Sequence, residues 1–242
     1  MRRTLRAAHL SSLPRVSLIR YNPVMSSYLI PATETRVEIR VLNSRFIATI
    51  VPAFSVEEAR QFVARVREEM GDASHHVPAF LIGHGATVTA HCSDDGEPSG
   101  TAGRPALAVL QGSGLGDVAV VVTRYFGGTK LGTGGLVRAY GDAVRAVLDV
   151  VPRAARVPTH TVMLAVPYAF LERARLLIAA HNGRTDDEDF AADVTITARF
   201  AVPDFPPFPE ALQEASHGSL SAEIVETADL IMPLASADSE QK

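Results

Sequence analysis

Hydrophobic and polar positions alternate with clear periods along most of this chain. Residues 117–123, DVAVVVT, form a near-continuous β-branched run, the pattern of a strand buried on both faces. Leu136, Tyr140, Ala143, Val144, Val147 and Leu148 follow at helical spacing, and Pro152 ends that helix. Upstream, residues 35–42 and 45–52 predict two strands around a turn at Asn43-Ser44. A helix then opens at Ser55, with Glu58 completing a capping box. Val56, Ala59, Phe62, Val63, Val66 and Met70 share one face of it, and Gly71 stops it. A second strand pair is expected over 75–81 and 87–93, around Gly83-His84-Gly85, and a short helix over 101–110 with Pro105 in its first turn.

The pattern changes after Pro152. The stretch 152–158, PRAARVP, reads as a linker. Beyond it come a strand (159–166), a helix (168–181) and two strands (184–190 and 194–202), then a helix (206–216) and a last strand (219–226). That βαββαβ order is the ferredoxin-like split unit. The expected organisation is a 1–27 extension, a first domain over 28–151, the 152–158 linker, a second domain over 159–228 and a 229–242 tail.

Composition adds bounds. The chain has 242 residues, 47% hydrophobic and 21% charged, enough for a sizeable core, and its net charge of −4 does not fit a general coat for nucleic acid. Its single cysteine, Cys92, excludes an intrachain disulfide, suits a reducing cytoplasm and reads as a small apolar residue rather than a nucleophile. No apolar run is long enough to span a bilayer, and there is no zinc-type spacing, so neither membrane, metal nor cofactor is expected. Residues 1–24 hold five arginines and no acid; Met25 as the native start is preferred over a targeting presequence.

The chemistry concentrates between Ser93 and Tyr140, where most of the 17 glycines also lie. Asp94, Asp95 and Glu97 are the catalytic candidates: as an acidic turn they suit a hard cation or acid–base work, although Asp-Gly and Glu-Pro are also ordinary turn sequences. Ser99, Thr101 and Arg104 surround small residues that let backbone amides approach an anion, or that cap a helix. Arg124, Tyr125, Gly127, Gly128, Lys130, Gly134 and Arg138 form a basic, aromatic, glycine-rich loop between a strand and a helix. This loop fits neither a Walker nor a dinucleotide spacing. His75 and His76 are adjacent on a strand, so they face opposite ways and do not easily serve one site; His91 is a further candidate.

Four blocks in order, SRFIA at 44–48, ASHH and AF within 73–80, DDGEPSGTAGRP at 94–105 and VVTRYFGGTKLGTGGLVRAY at 121–140, resemble the IMPACT/YigZ family over about 28–226. Val77 departs from that pattern, which often has cysteine there, so no thiol chemistry is expected at that position. The resemblance implies an α+β protein: an N-terminal domain with the second-domain fold of a small-subunit ribosomal protein, and a small ferredoxin-like C-terminal domain. Eukaryotic relatives regulate translation under amino-acid starvation, partly through domains that this chain lacks. The resemblance implies no firm activity for bacterial members. The reading that follows is a non-enzymatic cytoplasmic regulator of translation or stress response, binding RNA, the ribosome or a translation-associated protein. The rival is a hydrolase or transferase acting on a small anionic or peptide substrate through Asp94, Asp95 and Glu97. Oligomeric state is not readable from the sequence.

Overall fold

The computed structural model describes residues 27–85 and 87–234. The readings of 1–24 and of the last eight residues lie outside them. In chain order the strands are β1 (Tyr28–Pro31), β2 (Thr35–Val41), β3 (Ser44–Pro52), β4 (His75–Ile82), β5 (Thr89–Cys92), β6 (Val118–Tyr125), β7 (Arg153–Val166), β8 (Arg184–Phe190), β9 (Val194–Ala201) and β10 (Glu223–Pro233). The helices are α1 (Val56–Glu69), α2 (Gly103–Gln111), α3 (Gly132–Val150), α4 (Leu171–Ala180) and α5 (Pro207–Ala215). The architecture is α+β in two domains.

The first domain is an antiparallel sheet in the order β2-β3-β6-β4-β5. Strand β6 lies at its centre, and every residue from Val118 to Arg124 is buried, as its unbroken apolar run requires. Even-numbered β6 residues face α2 and α3: Val118, Val120 and Val122 pack there with Phe46, Ala48, Ile50, Leu136, Tyr140 and Val144. Odd-numbered ones, Ala119 and Val121, face α1 and meet Phe62, Val66 and Phe80. Helix α1 begins as its capping box dictates. Ser55 Oγ accepts from the Glu58 N–H at 3.1 Å, and the Glu58 carboxylate accepts from the Phe54 N–H at 2.9 Å. The β2–β3 turn sits one residue earlier than expected: Leu42 takes the left-handed conformation (φ 52°), and Ser44 is already in strand and fully buried.

The second domain has the order β8-β9-β7, with β10 on the other edge of β7, all antiparallel: the ferredoxin-like arrangement. Helices α4 and α5 cover one face through Ala174, Ile178, Phe208 and Leu212, packed on Val162, Leu164, Ile196 and Phe200.

Three expectations need correction here. The stretch 152–158 is not a linker: β7 runs unbroken from Arg153 and carries the chain straight into the second sheet. Its first residues pair with β1, an unpredicted strand that reaches across from the N-terminal end, with Tyr28 opposite Arg156 and Pro31 opposite Arg153. The last strand spans Glu223–Pro233 rather than 219–226, so the expected tail is strand as far as Pro233.

A buried carboxylate fastens this junction. Asp117 is 1% exposed and holds φ 44°. It accepts from the Gly83 N–H at 2.7 Å, from the Tyr28 hydroxyl and from the Arg156 guanidinium, which also reaches Asp229 on β10 at 2.5 Å. The start of β6, the first strand, and strands β7 and β10 of the second sheet therefore share one charge network. Burial, then the neighbouring Asp117, pushes the Tyr28 phenol up to about 12.

Candidate functional site

Strand register gathers most of the candidates at one end of the first sheet. Arg124, near the end of β6, lies opposite Phe46 on β3 and His75 on β4. Strand β5 runs in the same direction as β6, because both are antiparallel to β4. The chain leaving β5 therefore reaches this same end, where the turn 93–102 folds over it before α2 begins. Helix α3 also starts there, after the loop that follows β6. The two helix N-termini and the acidic turn thus share one edge of the domain.

The three carboxylates each have partners. Asp94 accepts from the N–H groups of Gly100 (2.8 Å), Ala102 (3.0 Å) and Gly103 (2.8 Å), so it caps the start of α2. Burial would raise its carboxyl, but these donors together with Arg104 outweigh that and hold it below the usual carboxylate range. Asp95, left-handed at φ 48°, accepts from the His76 N–H at 2.6 Å and pairs with Arg67 on α1. Glu97 is the buried member. Its carboxylate accepts from Arg124 at 2.6 Å and from the Tyr140 hydroxyl at 2.8 Å, with His75 Nε2 at 3.8 Å. Burial, then Glu97, pushes the Tyr140 phenol far above its ordinary value. Among the described residues no group of three or more His, Cys, Asp or Glu side chains is placed to hold a metal ion. A turn with every carboxylate engaged in this way does the work of a brace.

Arg124 is not the surface cation that its sequence context suggests. It continues the even face of β6 beyond Val122, and its side chain is 6% exposed. Its guanidinium lies 5.4 Å from the Phe46 ring and 5.5 Å from that of Phe126. Tyr125 is half-buried and tied down: its hydroxyl donates to Asp72 at 2.8 Å, and Arg45 lies over its ring. Phe126 is the exposed aromatic, at 49%. The glycine loop is placed by contact with the β2–β3 turn. The Gly127 N–H donates to Ser44 Oγ at 3.2 Å, and a Cβ on Gly127 would overlap the Asn43 carbonyl. Gly128 and Gly132 have φ of 82° and 73°, which only glycine adopts cheaply.

The remaining candidates divide by exposure. Thr101 is buried and donates to the Pro98 carbonyl at 2.6 Å. Ser99, Gly128 and Gly134 are exposed. Arg104, in the first turn of α2, Lys130, just before α3, and Arg138, in its second turn, are exposed and make no ion pair among the described residues. Helix α3 starts without a side-chain cap, so its first N–H groups are open among the described residues.

The histidines separate as the strand alternation requires. His76 is buried, with Nε2 3.0 Å from the Met70 carbonyl. His75 points to the α2/α3 face, with Nδ1 2.8 Å from the Asp95 carbonyl. His91 stacks on Phe80, with ring centroids 5.0 Å apart, on the α1 face. Cys92 is half-buried; burial, then Asp94, pushes its thiol up, away from nucleophilic character. Sequence reasoning missed the roles of Tyr140 and Ser44. Tyr140 fits the core stripe of α3, but its hydroxyl is what completes the Glu97 site.

The described helices include none long and apolar enough to cross a membrane. Comparison with known proteins assigns the chain. The Impact N-terminal domain family matches residues 42–148, and a domain of unknown function, DUF1949, matches residues 164–219. The IMPACT family member YigZ of Escherichia coli K12 is 38% identical over 203 residues, 84% of this chain and all (100%) of that protein. An IMPACT family member of Haemophilus influenzae is 35% identical over 203 residues, 84% of this chain and 98% of its own length. A solved structure described as a hypothetical protein shares 38% identity and a TM-score of 0.58, covering 84% of this chain and 99% of its own. The matched domains meet the two folds described above, and this chain belongs to the IMPACT family.

Proposed function

We propose that this protein is a non-enzymatic cytoplasmic regulator of translation or stress response that binds RNA or the ribosome. The binding surface is the end of the first domain where α2 and α3 begin. The observation that carries the reading is the set of exposed cations there: Arg104, Lys130 and Arg138 lack ion pairs among the described residues, while Arg124 is consumed internally. The open N–H groups of α3 and the exposed ring of Phe126 add an anion-binding and a stacking element to the same end. Membership of the IMPACT family is consistent with a translation-related role. The hydrolase or transferase reading needs a carboxylate free to take a proton or a metal, and Asp94, Asp95 and Glu97 are each occupied.

Filter binding of a fluorescent structured RNA hairpin tests this reading. Affinity should fall with salt with a log–log slope of about −2 to −3, as three phosphate contacts give. Exchanging Arg104, Lys130 and Arg138 together for Glu should abolish binding without altering the circular dichroism spectrum. No binding at low salt, or affinity indifferent to salt, would sink the proposal.

A further inference from the structure

A second surface, on the opposite face of the first sheet, has the form of a peptide-docking edge. Strand β5 is the sheet's outer strand, and its residues Thr89, Ala90 and His91 are exposed. The Ser93 N–H donates to the Pro78 carbonyl at 3.2 Å. Antiparallel alternation from that bond turns the main-chain groups of His91 and Thr89 inward to β4, and those of Ala90 and Cys92 outward. Among the described residues the outward groups form a short, unpaired ladder.

Beside this ladder runs a groove of about 330 Å³ between α1 and the strands β4 and β5. Its helix wall is the stripe Arg60, Val63, Ala64 and Arg67; its sheet wall includes Phe80 and His91. Arg67 is paired with Asp95 at one end, whereas Arg60 has no ion pair among the described residues. The groove exists because α1 packs over β3, β6 and β4 through Ala59, Phe62 and Val66 and leaves the β5 margin uncovered.

We propose that an extended acidic peptide segment of a partner protein adds to β5 as a sixth strand. Its outward-facing amides and carbonyls complete the ladder, and alternate side chains on the α1 side fall into the groove. An apolar side chain meets Val63 and Phe80, and a carboxylate meets Arg60. A second copy of this chain is the poorer occupant. Twofold pairing of β5 with itself would bring two copies of Arg60 to one patch, like charge against like. Nucleic acid has no main-chain ladder to extend.

The test is selection of a phage-displayed random heptapeptide library on the full chain. A synthetic peptide of the enriched sequence is then measured by fluorescence anisotropy and hydrogen exchange. Enriched peptides should alternate β-branched and acidic residues. Binding should slow exchange of the Ala90 and Cys92 amides and fail when alternate peptide amides are N-methylated. Arg60→Glu should weaken binding about tenfold or more, the effect of losing one charge contact and creating a repulsion. Arg60 is exposed, so the variant should keep the native fold, and Arg60→Gln gives a milder check on it. Failure to enrich any peptide would overturn the proposal. So would enriched peptides that are basic, binding indifferent to Arg60→Glu, unchanged exchange at Ala90 and Cys92, or a dimer of this chain joined through β5.

Discussion

Removing the Glu97 carboxylate is the sharpest perturbation of the first domain. The side chains of Glu97 and Arg124 are 3% and 6% exposed, so Glu97→Ala leaves a guanidinium buried with its charge unbalanced. Arg124 Nε already lacks a partner, and the variant takes away the Nη1 partner and the acceptor of the Tyr140 hydroxyl as well. Breaking a buried pair by deleting one member costs about 3–5 kcal/mol. For a chain of this size each kcal/mol shifts the melting temperature by about 2–4 °C, so a fall on the order of 10 °C is expected. Replacing both members by apolar side chains, Glu97→Leu with Arg124→Met, removes the stranded charge and leaves only the Tyr140 hydroxyl without its acceptor, so it should cost about 1–3 kcal/mol, less than the single variant. The chain has no tryptophan, so urea unfolding is best followed by far-ultraviolet circular dichroism. A single variant costing under about 1 kcal/mol, or a double variant costing the sum of the two singles, would refute the reasoning: in either case the pair would not be acting as one buried unit.

Three further outcomes follow from the geometry. Gly127→Ala forces a methyl group into the Asn43 carbonyl and should cost about 1–3 kcal/mol in urea unfolding, whereas Gly134→Ala, with open space around it, should be neutral or stabilising. The Asp94 carboxyl is held low in the folded protein, so its contribution is present above about pH 4, the ordinary aspartate range, and is lost as pH falls through its folded value. Asp94→Asn should therefore flatten the acid limb of the stability profile. Tyr28 behaves in the opposite sense. With its phenol raised from 10.0 to about 12, stability is full below pH 10 and is lost as pH climbs between those values, so Tyr28→Phe should blunt alkaline unfolding measured by circular dichroism.

The elements that declared themselves in the sequence are those whose burial is one-sided or total. Helix α1 had a capping box and a stripe, α3 had a stripe of Leu136, Tyr140, Val144 and Val147, and β6 had an apolar run. The junction between the domains did not declare itself, and the reasons are local. Strand β1 is only four residues long, too short to show a period. The first half of β7 carries Pro158, which ordinarily argues against a strand. Here Pro158 falls in a gap on one edge of β7, after β1 has ended opposite Arg156 and before β9 begins opposite Thr159. Strand β10 is exposed over almost its whole length, so neither of its faces imposes an alternation that can be read.

The site divides along a different line, between which charges are present and which are free. Composition and motif spacing identify Asp94, Asp95, Glu97, Arg104, Arg124, Lys130 and Arg138 as a concentration of charge, but they do not say which charges cancel. Strand alternation holds part of the answer: Arg124 follows Val118, Val120 and Val122 on the face that α3 covers, so its side chain had to meet something beneath that helix. Glu97 and Tyr140 supply the rest, from positions 27 residues before Arg124 and on the far side of the glycine loop. A buried cation that needs Glu97, a helix start that takes Asp94, and the pairing of Asp95 with Arg67 and the His76 N–H together use up the acidic turn. What remains for a partner is positive: Arg104, Lys130 and Arg138 at one end of the sheet, and Arg60 on the α1 face. A chain with a net charge of −4 therefore still turns a cluster of cations outward at the α2/α3 end, and a single unpaired arginine, Arg60, beside the β5 groove. That distribution favours a protein that recognises anionic partners over one that performs acid–base chemistry.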